Sequence, residues 1–288
     1  MKIRKFWSKG TAEGASPHGK PVAFSCWRSS DTSETDAHES TLAAARRILD
    51  AFQAGRKPDR YAYGCVPLRE EVMNTVCDAE GNVIAVVTRN LYGSLVLNAE
   101  RVMFVDIDFP SMSAGEATRH FFARLFGRVK RPPESEHEEK ARAGVEQFVT
   151  ANPGWNIRLY RTGAGLRGIV THDLFDPKSG TTLDILRRLG SDPLYIRLCK
   201  AQECFRARLT PKPWRCGHRA NTVRYPVENA EAADEFERWQ AHYEARHRRY
   251  ATCRFVGEIG SGQAHLEAQR VVELHDFVTR CSESLALA

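Results

Sequence analysis

The stretch Arg101-Val-Met-Phe-Val-Asp-Ile-Asp-Phe109 decides the reading of this chain. Its apolar run fits a buried β-strand, and acid enters only at Asp106 and Asp108. Residues i and i+2 of a strand point to one face, so both carboxylates leave it side by side. Adjacent carboxylates raise each other's pKa unless a cation sits between them, and oxygen ligands so placed suit Mg²⁺ or Mn²⁺. The alternative is a strand-end pair that caps the turn at Phe109-Pro110-Ser111.

Working outward, Asn82–Thr88 and Tyr92–Asn98 predict two more short strands, giving a meander whose last member is central and buried. On the far side, Ser113-Ala-Gly-Glu116 is a capping box for a helix with Phe121, Phe122, Leu125 and Phe126 inward. Arg128–Arg142, with two prolines among mixed charges, predicts an exposed linker before a helix at Ala143–Thr150. Trp155–Arg161 and Leu166–His172 predict a hairpin around Thr162-Gly-Ala-Gly165. Helices are expected at Leu183–Leu189, Leu194–Phe205 and Ala232–Tyr250, then a strand at Thr252–Ile259 and a last helix carrying Val271, Leu274 and Val278.

The expected class is α+β. It comprises a loosely ordered arm over 1–40 with one short strand at Pro21–Trp27, a core of mixed or antiparallel sheet with helices over 41–180, and a mostly helical part over 181–288. Thr41 is the expected cap of a first helix that Gly55 closes. At 288 residues, 42% hydrophobic and 27% charged, the chain can bury a core, which excludes wholesale disorder. No apolar window approaches the roughly 18–20 residues of a transmembrane helix. The basic start Met1-Lys2-Ile3-Arg4-Lys5 has no apolar run behind it, so a cytoplasmic address with reduced cysteines is the expectation.

The net charge is +6. Between Cys199 and Arg224 stand Lys200, Arg206, Arg208, Lys212, Arg215, Arg219 and Arg224, opposed only by Glu203. So concentrated a patch favours a polyanion, nucleic acid first, although a solvated face gives the same pattern. Arg206, Arg208, Lys212 and Arg215 interleave with Trp214, and stacking faces among guanidinium groups grip single strands. Cys199, Cys204, Cys216 and His218 offer a Zn²⁺ set, with core and surface cysteines as the alternative. Gly163-Ala-Gly165-Leu-Arg-Gly168 fits the dinucleotide fingerprint in letters only, because strand-like residues follow it instead of a helix. What remains is a glycine hairpin flanked by Arg161 and Arg167, which lets backbone N–H groups approach phosphate; a plain tight turn is the alternative.

A strand ending in hydrophobic-Asp-hydrophobic-Asp, a helix, then a hairpin with a Thr-Gly-x-Gly turn resembles the archaeo-eukaryotic primase superfamily, over about Val102–His172. The resemblance implies catalytic Mg²⁺ or Mn²⁺ on Asp106 and Asp108 and a role in DNA replication or repair. It also implies nucleotide phosphate on the hairpin strand, where the family has a histidine. Here Arg167 or Gly168 stands at that place, and the nearest histidine is His172. For the family's third carboxylate the substitute is Glu258, with Asp173 behind it. The family often carries a zinc module in the region of Cys199.

The expected function is metal-dependent nucleotidyl transfer. Asp106 and Asp108 would hold metal, while Arg161, Thr162, Gly163, Gly165 and Arg167 would hold nucleoside triphosphate, and Cys199–Arg224 a nucleic-acid template. The alternative is a non-catalytic nucleic-acid-binding protein on a degenerate core of the same kind. A glycosyltransferase shares the Asp-x-Asp logic but needs nucleotide-binding α/β units ahead of it.

Overall fold

A computed structural model describes residues 1–56, 68–110 and 133–288. The capping box at Ser113–Glu116, the helix carrying Phe121, Phe122, Leu125 and Phe126, and Cys65 lie outside the described residues. The fold is α+β, built on two four-stranded sheets.

The chain opens with β1 (Phe6–Ala15) and β2 (Pro21–Ser30), a full antiparallel hairpin, followed by α1 (Glu34–Gln53). The loosely ordered arm of the sequence reading is therefore an ordered unit. On β1 the positions Gly10, Ala12 and Gly14 that face the helix are small: a Cβ on Gly10 would come within 2.8 Å of Thr41 Cγ2, so glycine lets the helix lie close on the hairpin. Ser33, whose side chain accepts from the Asp36 N–H at 3.1 Å, caps this helix. Thr41 is instead buried within it, donating its hydroxyl to Ala37 O at 2.7 Å.

The first large sheet runs β3 (Glu71–Cys77), β4 (Val83–Arg89), β5 (Leu95–Ala99), β9 (Phe205–Arg208), all antiparallel. The second runs β11 (Cys253–Gly260), β7 (Asn156–Thr162), β8 (Gly165–Val170), β6 (Phe104–Asp108), also antiparallel. The expected meander is thus split: β4 and β5 pair with each other, while β6 crosses to the other sheet and forms its edge. An exposed edge would leave peptide groups unpaired. Here a distant loop covers them: Asp106 N–H donates to Ser191 Oγ at 3.1 Å, and Asp192 N–H donates to Asp106 O at 2.8 Å.

α2 (Pro133–Thr150) occupies most of the expected linker. Proline suits a first helical position, and Arg142 pairs with Glu146 one turn on, so the mixed charges serve a helix face. α3 (Gly180–Arg188), α4 (Pro193–Gln202), α5 (Ala230–His247) and α6 (Leu266–Thr279) follow, with a 3₁₀ turn at Pro213–Cys216 and a short parallel pair, β10 (Tyr250–Ala251) with β12 (Ala286–Leu287). β9 completes the first sheet and β11 the second, so the C-terminal third is woven into both. One apolar core joins them, including Leu97, Phe104, Ile107, Leu159, Leu166, Phe205 and Val271. Among the described residues no helix is long and apolar enough to cross a membrane.

Candidate functional site

The Asp strand and the glycine hairpin are direct neighbours. Asp108 pairs with Gly165, and Asp106 with Arg167. The turn is the two-residue Gly163-Ala164, and Ala164 O accepts from Phe109 N–H at 2.9 Å. A side chain at 165 would overlap the Ile107 carbonyl, so glycine is what lets the turn close on the end of β6.

Residues opposite one another across a ladder share a face. Asp106, Arg167 and Tyr160 therefore lie on one face, and Arg161, Leu166 and Ile107 on the other. The arginines flanking the hairpin form no joint phosphate clamp. Arg161 packs toward α2, where its Nε donates to Glu138 at 3.0 Å and its guanidinium lies 4.8 Å from the Phe109 ring centroid. Arg167 is only 5% exposed, donating from Nη1 to Arg208 O at 2.9 Å and to His275 Nε2 at 3.2 Å. It is a buried strut, because a guanidinium there needs these acceptors to offset its lost hydration.

Other cations take the place expected of these two. Arg208, Lys212 and Arg215 all act on Asp108 or are acted on by it. Burial holds the Lys212 ammonium below its usual value; Arg208 and Arg215 push the same way, while Asp108 and Asp106 oppose them. Arg215 reaches the hairpin tip, where a Cβ on Gly163 would overlap its guanidinium. Trp214 stands 53% exposed beside them, edge-on to Tyr92 at 5.2 Å, with Lys212 Nζ 5.7 Å from its ring centroid.

Asp108 is held above the usual carboxylate range, first by partial loss of water and then by Asp106 and Asp192, against the pull of Lys212 and Arg208. Asp192, which the sequence reading missed, caps α4 by accepting from Tyr195 N–H at 2.9 Å. Its signal was legible as Asp-Pro at a helix start, but only the edge pairing with Asp106 brings it here. Tyr195, buried, fastens the same corner by donating its hydroxyl to Phe104 O at 3.1 Å.

Several nominated residues lie elsewhere. Glu258 sits on β11, three strands from β6, or about 14 Å at the usual strand spacing. Its carboxylate accepts from Asn156 and from Arg158. His172 and Asp173 follow β8 at the end away from Asp108; His172 packs 4.5 Å from the Trp155 ring and accepts from Asn156 N–H. Arg206 is turned inward: its side chain is 8% exposed, and its Nη2 donates to both Glu70 carboxylate oxygens at 2.8 and 2.9 Å. The zinc set is dispersed as well. Cys199 and Cys204 are buried in the α4–β9 corner, with burial pushing their thiols up to about 12 and about 11. Cys216 instead packs with Trp239 and Tyr243 of α5, and the His218 ring stacks near the same pair. Among the described residues no three His, Cys, Asp or Glu side chains gather in a group that could hold a metal.

The arrangement places two carboxylates, a glycine turn, three cations and an exposed indole at one end of a sheet. Comparison with protein-family models, curated proteins and solved structures finds no match.

Proposed function

We propose that this corner handles nucleoside triphosphate or nucleic acid with a divalent cation, in the manner of a primase-polymerase, and that nucleotidyl transfer is its specific form. The observation that carries the reading is the pairing of Asp108 with Gly165, beside Arg208, Lys212 and Arg215. Asp106 and Asp108 would hold Mg²⁺ or Mn²⁺. Two carboxylates suffice for such an ion, which keeps several waters and takes phosphate oxygens as its remaining ligands. The fit rests on the raised pKa of Asp108, since crowded carboxylates gain most from a cation. The metal would supply charge neutralisation and activation of an attacking hydroxyl. The turn N–H groups and the three cations would hold phosphates, and Trp214 would stack a base.

A second reading has its own support. Asp192 is engaged as a helix cap and Glu258 lies on the far edge, so among the described residues no three carboxylates gather into a group that could hold a metal. A non-catalytic nucleic-acid-binding protein on the same frame needs only the cations and Trp214.

Calorimetric titration with Mn²⁺ tests the first step: wild type should show a site that Asp106→Asn/Asp108→Asn lacks. Equal binding by both overturns the metal reading. Extension of a labelled primer–template with Mg²⁺ or Mn²⁺ and nucleoside triphosphates then separates the two readings. Salt-sensitive single-strand binding without extension selects the second.

A further inference from the structure

A second concave site lies away from the Asp pair. A cavity of about 140 Å³ opens between the β4–β5 turn, the start of β3, the 221–227 segment and α5. Its cations are Arg69, Arg89 and Arg224, its apolar walls include Leu91, Tyr225 and Phe236, and its acidic residue is Glu71. Charge and apolar surface therefore meet in one partly open cavity.

Arg89 is what points to a ligand. It is 8% exposed, and its buried Nε has no hydrogen-bond partner. The Glu71 carboxylate stands 3.4 Å from that nitrogen, but Glu71 is itself 39% exposed and shares its charge with water. Nη1 has a long contact of 3.5 Å to Gly93 O, and Nη2 faces the Met73 sulfur at 3.7 Å. A guanidinium carries five donors and cannot shed its charge, so burying it this poorly paired is costly. An arriving oxyanion would remove that cost through a bidentate contact. The Phe236 ring, 5.3 Å from the Arg89 guanidinium carbon, backs it with an apolar surface. Arg224, exposed at the rim and held to Leu91 O at 2.9 Å, adds charge at the mouth.

We propose that this cavity is a binding site for a small oxyanion carried on a ring-sized apolar body, a carboxylate or a phosphate monoester. Arg89 takes the oxyanion, and Leu91, Tyr225 and Phe236 enclose the body. The site is independent of the carboxylate corner: it uses none of its residues and needs no metal.

Calorimetric titration of the full chain with benzoate and with phenyl phosphate tests this. At least one should bind at a single saturable site, about tenfold or more tighter than inorganic phosphate, which lacks the body, or benzyl alcohol, which lacks the charge. The tighter of the two identifies the oxyanion. Arg89→Met should weaken it by about tenfold or more, the loss expected for a charge-assisted contact. Arg224→Gln, at an exposed position where folding is not at stake, should weaken it by a smaller factor and decides the matter if Arg89→Met does not fold. Asp106→Asn/Asp108→Asn should bind as wild type does. The proposal is overturned if neither compound saturates, if Arg224→Gln and any folded Arg89→Met bind as wild type, or if the double Asp variant loses binding.

Discussion

Asp108 lies directly opposite Gly165 on the β6–β8 ladder, and this pairing fixes how close a glycine turn comes to a carboxylate pair. The closeness follows from backbone, because the Ile107 carbonyl occupies the space a side chain at 165 would need. Arg208, Lys212 and Arg215 then balance the carboxylates. The corner is thus a balance of charges held on two strands, with a loop behind it.

Gly165→Ala should destabilise the protein by about 1–3 kcal/mol, the usual cost of forcing added volume against a fixed neighbour. Gly180→Ala is the control, since nothing lies within 4 Å of a Cβ there. Urea denaturation of both variants measures the difference. A Gly165→Ala protein as stable as wild type would mean that the turn stands farther from β6.

Asp108→Asn should raise the melting temperature in metal-free buffer near neutral pH. The folded-state pKa of Asp108 is raised, so the folded protein binds its proton more readily than the unfolded chain. That linkage favours folding at low pH and is lost as pH rises above the usual carboxylate range, leaving an ionised Asp108 that destabilises. Removing the charge relieves the repulsion from Asp106 and Asp192. Thermal scans with and without Mn²⁺ check this, and the wild type should gain more from the ion than the variant does.

His275 gives the opposite pH dependence. Complete burial, aided by Arg167 and Arg158 and resisted by Asp276, holds its imidazole down to about 4 from 6.5. Its Nε2 accepts from Arg167, so Nδ1–H donates to Asp276 Oδ1 at 2.8 Å. In the unfolded chain the imidazole takes a proton first, so this contribution to stability is complete above pH 6.5 and drains away as pH falls toward 4. The loss is on the order of 3 kcal/mol. Denaturation between pH 7 and 4 should therefore be shallower in His275→Phe than in wild type, and equal slopes would refute the assignment.

What the sequence made legible was local. The apolar run before Asp106 marked a strand, and Thr162-Gly-Ala-Gly165 marked a two-residue turn, because both depend on neighbours in the chain. Whether β6 was central or at an edge depended on Ser191 and Asp192, some 85 positions away, and no periodicity records that. Of the first hairpin the sequence marks β2 but not β1, because Gly10, Ala12 and Gly14, rather than large apolar residues, alternate along β1. Arg206 and Arg208 are the sharpest case. They share a face of β9, two residues apart, yet one is sealed against Glu70 and the other stands by the Asp pair. Only the fold tells them apart.

That contrast yields the last prediction. If nucleic acid lies along this corner, Arg208, Lys212 and Arg215 are its phosphate contacts and Arg206 is not. Each lost contact on a single strand should reduce the slope of log affinity against log salt by about 0.7, so replacing all three with glutamine should flatten it by about 2. Urea denaturation should find only a modest stability loss in this triple variant, since these half-buried side chains also balance the charge of Asp108. Arg206→Met should do the reverse. It strands Glu70 as a buried, unpaired carboxylate, which should cost about 3–5 kcal/mol of stability, while the salt slope of the folded fraction stays unchanged. Fluorescence anisotropy with a labelled oligonucleotide at several salt concentrations, beside the denaturation curves, reads both quantities. An unaltered slope in the triple variant would place the phosphate contacts on another surface. A slope that falls in Arg206→Met would mean that the Glu70 pair opens to admit the strand.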